Sequence, residues 1–376
     1  MQKRWDIFCK VVDNFGDIGI CWRLAQQLNA AHGLPVTLWV DDLISAKKII
    51  PSLKVELNQQ VVNEIVILKW HANADFSYAA DVVIEAFACD LPPTYLAAMT
   101  QKQSKWINLE YLSAETWVDN FHAKPSPKPE YKLVRYFYFP GFTEKTGGLI
   151  REAHTYRHSD CHWNDEDSLK ISLFCYPFAP IHNLLNALQP QGLSPQNIPA
   201  KAGYSYVIPN NHAVHIYAPQ SSILPNIAQF FGKDTVKVGD KLIQNNLTVE
   251  ILPFLSQADY DALLRDCDLN FVRGEDSWIR AIWAGKPFIW QPYIQDENAH
   301  MKKLDAFLNL FYENCEQKQS ACEAHRYWSA GQLNKDVLTA YLNDLPHIFA
   351  HTQKQSAALA SQSDLAAKLV IFCNNL

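Results

Sequence analysis

The amino-acid sequence predicts an α/β protein with two doubly wound, mainly parallel sheets, and three observations support this prediction. Short apolar strand candidates alternate with helices over residues 5–109, and the same alternation starts again near residue 170. Strands that alternate with helices in this way favour parallel sheets that are covered by helices. The chain has 376 residues, which is enough for two domains of roughly 150 residues each.

The first half contains five strand candidates and an early helix. The strand candidates are Trp5–Val12, Pro35–Val40, Val61–Leu68, Val82–Ala86 and Lys105–Leu109. Between the first two, Leu24 and Leu28 fall on one face of a helix that ends near Gly33. The alternation then stops: the proline-rich Lys124–Pro129 predicts a loop, and the polar His154–Asp167 predicts a linker.

The second half repeats the alternation, with a helix that starts at Ile181. Its strand candidates are Lys170–Tyr176, His212–Ala218, Leu247–Leu252, Leu269–Arg273 and Pro287–Gln291. The helical pattern of Ser356–Asn375 predicts a terminal helix that crosses back onto the first half. We therefore predict an N-terminal domain over residues 1–155, a C-terminal domain over 156–350 and a terminal helix over 351–376.

Composition and charge argue against several classes of protein. With 33 basic and 39 acidic residues, the net charge of −6 disfavours direct binding of nucleic acid, which needs a basic surface. No run approaches the roughly 20 apolar residues of a membrane-spanning helix, and the N-terminus has no secretory signal pattern. The nine cysteines are scattered without a CxxC pair and read as reduced thiols. We expect a cytoplasmic protein with no membrane partner.

The loop Asp13–Gly19 follows the first strand candidate and is the first candidate site. It carries Asp13 and Asp17 and lacks the GxGxxG pattern of a dinucleotide site. Two carboxylates would repel a diphosphate, so the loop suits a cationic or proton-donating group. The alternative is that Asp17 only caps the following helix.

The second candidate site is the turn between Leu269–Arg273 and the next helix. Ser277 is the predicted N-cap of that helix and Gly285 its C-terminal stop. Helix N–H groups, Ser277 and Arg273 would bind a phosphate, while Glu275 would accept hydrogen bonds from sugar hydroxyls. This combination points to a sugar nucleotide. The alternative is a surface ion pair between Arg273 and Asp276.

A third candidate site follows the strand Leu247–Leu252. Ser256 and Asp259 fit a capping box, and Phe254 could stack on a nucleobase. A core aromatic residue and a simple cap would explain the same pattern. The same two interpretations apply to Tyr176 and Phe178.

Two further patterns resemble metal sites without a complete ligand set. Asp266 and Asp268 form a DxD pattern, but their position between a helix and a strand favours capping and turning. The other group lies in the predicted linker without a matching ligand pair and consists of His154, His158, Cys161 and His162. Since neither set is complete, we expect no metal.

In four segments the chain resembles the EarP family of bacterial protein-arginine rhamnosyltransferases. The segments are Val12–Gly19, Leu252–Gln257, Asn270–Ser277 and Ala281–Pro287. The resemblance extends over essentially the whole length and implies a GT-B fold, with two Rossmann-like domains facing a cleft and the donor held mainly by the C-terminal half. It also implies inverting transfer of L-rhamnose from dTDP-β-L-rhamnose to one arginine of translation elongation factor P. The factor modified in this way helps ribosomes to translate polyproline stretches.

The resemblance also implies roles for individual residues. Asp17 corresponds to the catalytic aspartate, Asp13 to its neighbour and Glu275 to a key glutamate. No cofactor is expected beyond the donor itself. The implied donor contacts are Asn14, Phe15, Gly16, Tyr176, Phe178, Phe254, Ser256, Gln257, Arg273, Asp276 and Ser277.

The residue chemistry agrees with this reading. A guanidinium has a pKa above about 12 and is a poor nucleophile. The two aspartates could orient it and accept its proton as the C–N bond forms. Two alternatives remain open at this point: a GT-B transferase that uses another sugar nucleotide and a lipid or glycan acceptor, or a non-catalytic protein that binds the elongation factor.

Overall fold

The computed structural model describes residues 3–12, 15–71, 74–152, 168–190 and 213–376. The chain divides into two compact units. The first comprises Met1–Tyr156 together with Leu359–Leu376, and the second comprises Arg157–Ala358. Each unit is built around its own mainly parallel sheet.

The first unit alternates strands and helices from its start. Its strands are β1 (Trp5–Cys9), β2 (Val36–Val40), β3 (Gln59–Val62), β4 (Ile65–Lys69), β5 (Val82–Ala86), β6 (Lys105–Leu109), β7 (Pro125–Lys128) and β8 (Leu133–Tyr138). Its first helices are α1 (Gly16–His32), α2 (Leu43–Ile49), α3 (Pro93–Lys102) and α4 (Val118–Phe121). The predicted strands β5 and β6 are confirmed with the predicted bounds.

The strand order of the first sheet is β3-β4-β2-β1-β5-β6-β8-β7. Strands β4, β2, β1, β5, β6 and β8 run parallel, and β3 and β7 pair antiparallel at the two edges. The chain goes from β1 to β2 on one side and later to β5 on the other. The order therefore reverses between β1 and β5, and in such sheets ligands bind beyond the carboxyl ends of the strands at that point.

Two predictions for the sheet edges were wrong. The single predicted strand Val61–Leu68 is the hairpin of β3 and β4, which turns at Asn63 and Glu64 with φ values of 48° and 63°. The predicted loop Lys124–Pro129 contains edge strand β7. Proline is tolerated there because an edge strand leaves one row of N–H positions unpaired.

An aromatic cluster fills part of the first unit's core. Phe8 stacks on Trp39 with centroids 5.4 Å apart and packs against Tyr95 at 4.6 Å. The Tyr95 hydroxyl and the Trp39 indole N–H both donate to the buried Asp6 carboxylate, at 2.6 and 3.1 Å. Burial raises the pKa of Asp6. These bonds fix the rings around β1, from which the first candidate site follows.

The chain end contains two helices where one was predicted. Helix α12 (Leu345–Ala360) is separated from α13 (Leu365–Asn375) by four residues. Asp364 starts the second helix as its N-cap, accepting from the Ala367 amide at 3.0 Å. Asp364 also accepts from Gln27 of α1 at 2.8 Å. Helix α13 thus packs within the first unit.

The second unit has six strands and, up to α12, seven further helices among the described residues. The strands are β9 (Ser168–Leu173), β10 (Ala213–Pro219), β11 (Lys241–Gln244), β12 (Leu247–Leu252), β13 (Leu269–Arg273) and β14 (Phe288–Gln291). The helices are α5 (Ile181–Ala187), α6 (Leu224–Phe230), α7 (Gln257–Asp266), α8 (Asp276–Ala284), α9 (Ala299–Phe311), α10 (Lys318–Ser329) and α11 (Lys335–Asn343). Of the helices in the described ranges of both units, none combines the length and apolar character needed to cross a bilayer.

The strand order of the second sheet is β11-β12-β10-β9-β13-β14, with only β11 antiparallel. This order reverses between β9 and β13, just as the first sheet reverses between β1 and β5. The predicted bounds of β12 and β13 are confirmed.

A buried ion pair joins the two helices that follow β12 and β13. The Arg280 guanidinium on α8 bonds both oxygens of Asp261 on α7, at 2.8 and 2.5 Å. Both residues are buried. On its other side, α8 stacks Trp278 on Trp290 of β14 with centroids 3.6 Å apart. Helix α8 is thus held at both faces.

We predict that Arg280→Met lowers the free energy of unfolding by about 3 kcal/mol, because it leaves the Asp261 carboxylate buried without this guanidinium. The double variant Arg280→Met with Asp261→Leu should recover most of the loss, since it buries no lone charge. Urea unfolding followed by tryptophan fluorescence measures both. A loss below about 1 kcal/mol in the single variant, as at exposed pairs, would contradict the prediction.

Candidate active site

Asp17 lies at the carboxyl end of β1, beside the reversal in the first sheet. It occupies the first turn of α1 and is only 2% exposed. Its Oδ2 accepts from the backbone amide of Val12 at 2.8 Å, which fixes the carboxylate against the end of the strand. The N-cap of α1 is Phe15, so the interpretation of Asp17 as a mere cap was wrong.

The rest of the predicted loop is described in part. Asp13 and Asn14 lie outside the described residues. Phe15 is half-buried, with the Lys48 ammonium 5.3 Å from its ring centroid, and Gly16 begins α1. Phe15 and Gly16 therefore stand at the same sheet edge as Asp17.

Two aromatic residues that sequence reasoning missed form a stack that reaches Asp17 through Tyr111. Phe87 follows β5 and Tyr111 follows β6, and their rings stack with centroids 4.4 Å apart and an interplanar angle of 14°. The Tyr111 hydroxyl is 3.5 Å from Asp17 Oδ1. Beside them, Glu110 accepts from Asn108 at 2.5 Å, and burial raises the pKa of the Glu110 carboxyl. Only the order of the strands could have indicated this grouping.

Arg273 lies at the corresponding place in the second unit, at the end of β13. Its guanidinium carbon is 4.6 Å from the ring centroid of Phe174 and 4.5 Å from that of Tyr176. Both aromatic residues follow β9, across the reversal in the second sheet. The structure therefore brings two of the predicted donor contacts, Arg273 and Tyr176, into one cluster.

Further aromatic side chains extend this cluster. Phe178 stacks on Tyr176 at 5.3 Å and remains 41% exposed. Tyr293 packs edge-on against Tyr176 at 5.8 Å. The backbone amide of Tyr176 donates to Gln291 Oε1 at 2.9 Å, so the buried Gln291 fixes the loop that carries the rings.

Ser277 has a different role from the one predicted. It lies inside α8, whose N-cap is Glu275, so the predicted N-cap was wrong. Its hydroxyl accepts from the Arg273 amide at 3.0 Å and also donates to the Arg273 carbonyl. Gly274 has a φ of 61°, which turns the chain back toward the helix. Ser277 thus locks the tight turn, and the first-turn N–H groups of α8 stand beside Arg273.

Glu275 forms an ion pair that sequence reasoning missed. Its Oε1 is 2.5 Å from the ammonium of Lys303 on α9, and both side chains are only 15% exposed. The partner comes from the helix after β14, 28 residues away, so no local pattern could indicate the pair. Asp276, the adjacent predicted contact, is the first residue of α8.

Ser256 caps α7 after β12, which confirms the cap half of the predicted capping box. Ser256 accepts from the Asp259 amide at 3.2 Å, and its hydroxyl lies 2.7 Å from the Asp259 carboxylate. Gln257 begins α7, and Phe254 is half-buried in the preceding loop. These residues follow β12, which lies two strands from β9 in the sheet. They therefore stand at the same carboxyl edge as Arg273, which ends β13.

The patterns that resembled metal sites have two outcomes. Asp266 ends α7 and Asp268 directly precedes β13, so the DxD pattern stands between a helix and a strand, as predicted. Asp268 is buried and accepts from the Lys170 amide within β9 at 2.9 Å, which ties this turn to the neighbouring strand. The second group, comprising His154, His158, Cys161 and His162, lies outside the described residues. Within the described ranges, no three acidic, histidine or cysteine side chains form a potential metal site.

The two sites have opposite chemistry. A fixed carboxylate beside stacked rings suits a planar cation. A guanidinium, a helix N-terminus and aromatic faces suit a phosphorylated ligand with a planar base.

Sequence comparison assigns a family. The family model described as Elongation-Factor P (EF-P) rhamnosyltransferase EarP matches residues 5–374. A protein-arginine rhamnosyltransferase of Pseudomonas putida is 40% identical, with 100% of both chains covered. One of Pseudomonas aeruginosa is 38% identical over 98% of both chains.

Comparison with solved structures identifies the fold. The structure described as the basis for EarP-mediated arginine glycosylation of translation elongation factor EF-P has a TM-score of 0.65 and 30% identity, covering 100% of this chain and 99% of that one. A spinosyn rhamnosyltransferase has a TM-score of 0.53 at 10% identity, covering 98% and 99% of the two chains. The fold is GT-B, as predicted.

Proposed function

Because this chain belongs to the EarP family, we propose that it transfers L-rhamnose from dTDP-β-L-rhamnose to an arginine of translation elongation factor P, with inversion at the anomeric carbon. Relatives named protein-arginine rhamnosyltransferase support the reaction class. The observation that carries the proposal is the division of chemistry between the two strand reversals: a carboxylate with aromatic rings at one, and a cation with a helix N-terminus at the other.

The first unit would bind the acceptor. Asp17, held by the Val12 amide, accepts hydrogen bonds from the guanidinium and orients one nitrogen toward the anomeric carbon. That nitrogen forms the new C–N bond as the C–O bond to the diphosphate breaks. The nitrogen's proton passes to the Asp17 carboxylate during bond formation, when the nitrogen becomes acidic. Direct displacement with one inversion needs no covalent sugar–enzyme intermediate.

The second unit would bind the donor. Arg273 and the first-turn N–H groups of α8 neutralise the charge that grows on the departing diphosphate. The Ser277 hydroxyl is bonded to the backbone of Arg273, so its part is to hold the turn in place. Phe178, which stacks on the buried Tyr176 and stays 41% exposed, offers a stacking face for the thymine base. This stabilisation proceeds through protein groups and requires no metal.

Two other functions make different predictions. A GT-B transferase with a lipid or glycan acceptor would leave elongation factor P unmodified. A non-catalytic binder would retain the factor and have no affinity for dTDP. Incubation with dTDP-rhamnose and purified elongation factor P, followed by mass spectrometry, distinguishes them: we expect the factor to gain the mass of one deoxyhexose on an arginine.

Asp17→Asn should leave dTDP affinity unchanged and reduce transfer by a factor of at least about 10² to 10⁴, the usual contribution of a positioned base. Calorimetry with dTDP and mass spectrometry of the factor measure the two quantities. The exposed Asp75 provides the control Asp75→Asn, which should transfer normally. Near-normal turnover of Asp17→Asn would remove Asp17 from the mechanism.

Arg273→Ala should weaken dTDP binding by at least about tenfold, or roughly 1.4 kcal/mol, because a charge-assisted contact to the diphosphate is lost. Arg273→Lys keeps the charge but loses the planar group between the rings, so its affinity should be intermediate. Unchanged calorimetric affinity in Arg273→Ala would refute the assigned donor site.

Lys303→Met should lower kcat by about tenfold with little change in dTDP affinity, because Glu275 loses the partner that orients it. The neighbouring Lys302 is exposed on the same helix, so Lys302→Met is a matched control and should behave as wild type. Equal activities of the two variants would show that the ion pair does not support the reaction.

A further inference from the structure

A stacked aromatic pair stands at the strand reversal of the first unit, where the proposed acceptor binds. The Phe87 and Tyr111 rings are 4.4 Å apart and nearly parallel, and Tyr111 is 37% exposed. The Tyr111 hydroxyl lies 3.5 Å from Asp17 Oδ1. Because the Tyr111 ring is partly exposed, packing of the core alone does not explain its position beside this carboxylate.

The backbone that presents Phe87 is held in a disfavoured conformation. Phe87 and Ala88 have φ values of 58° and 51°, and Asp90 follows with 57°. Bulky residues rarely adopt the left-handed region, and such strain persists only where the surroundings enforce it. Holding Phe87 in this conformation therefore costs folding free energy.

Buried polar side chains of the central strands enforce the turn. Glu85 and Asn108 are 1% and 0% exposed. Asn108 accepts from the Ala88 amide at 3.2 Å, and Glu85 accepts from the Asp90 amide at 3.1 Å. Polar groups at the centre of a sheet are costly unless they are hydrogen-bonded. These two side chains accept hydrogen bonds from amides of the turn, and the turn holds Phe87 stacked against Tyr111.

We propose that the Phe87–Tyr111 pair is the binding surface for the guanidinium of the acceptor arginine, a proposal that rests on the proposed function. The planar cation stacks on the exposed ring of Tyr111, and its N–H edge points to Asp17. Arginine stacks on aromatic faces and pairs with carboxylates through its planar fork, whereas a lysine ammonium offers a point charge. The surface therefore orients the reacting nitrogen and selects arginine over lysine.

An aromatic face could also stack on the sugar ring of the donor. The carboxylate in contact with Tyr111 favours a cation over a neutral sugar, because the carboxylate and the ring faces both attract positive charge. The two occupants differ in which substrate's Michaelis constant depends on Tyr111, and the experiment uses that difference.

Tyr111→Leu, which keeps apolar bulk and removes the π face, should raise the KM for elongation factor P by about tenfold and leave the KM for dTDP-rhamnose within about twofold. Tyr111→Phe keeps the ring and loses only the hydroxyl that lies 3.5 Å from Asp17 Oδ1, so it should raise the acceptor KM less than Tyr111→Leu does. Tyr78, 80% exposed in the same unit, gives the control Tyr78→Leu, which should change neither constant. A raised donor KM, or an unchanged acceptor KM, would overturn the proposal.

A double-mutant cycle tests whether Tyr111 contacts the guanidinium of the target arginine or another part of the factor. Binding of elongation factor P is measured by calorimetry with wild type and Tyr111→Leu, using the natural factor and one whose target arginine is replaced by alanine. The loss caused by Tyr111→Leu should disappear with the alanine factor. An equal loss with both factors would place Tyr111 at a different contact and overturn the proposal. If the wild-type enzyme transfers no rhamnose, the proposed function itself fails, and the two failures are thus distinguishable.

Discussion

The reversal of strand order in each sheet determines where both candidate sites lie. In the first sheet, β1 is flanked by β2 and β5, and in the second, β9 is flanked by β10 and β13. Connections leave in opposite directions at these points, so the carboxyl ends of the central strands stay uncovered by a crossover helix. Asp17 follows one central strand and Tyr176 the other. Chain topology therefore assembles both candidate sites before any individual contact is considered.

Most of the fold could be predicted from the sequence, because buried parallel strands are short apolar runs with clear ends. The bounds of β5, β6, β12 and β13 came from that signal alone. The failures share a different cause. The hairpin at Asn63–Glu64 turns through positive φ values without glycine, and β7 contains proline that only an edge position tolerates. Both features depend on the neighbouring strand, which a local pattern does not reveal.

The candidate sites were predictable only where the residues follow strands within one motif. Asp17 and Arg273 are of this kind. Phe87, by contrast, is placed by a strained turn, and Lys303 reaches Glu275 from a helix 28 residues away. Ser277 illustrates a third reason why a role was missed. A serine side chain can cap a helix or hold a turn, and only the backbone geometry shows that Ser277 holds the turn. The position of a residue after a strand is thus readable from a local pattern, whereas its partners depend on packing.

The proposed function requires the sugar nucleotide to bind at the reversal of the second sheet, which leaves the carboxylate of the first sheet for the acceptor. A crystal structure of the chain with bound dTDP would locate the nucleotide. We expect density for the diphosphate at the start of α8, within hydrogen-bonding distance of Arg273, and for the base against the aromatic rings that follow β9. Density for the diphosphate beside Asp17 instead would contradict this placement.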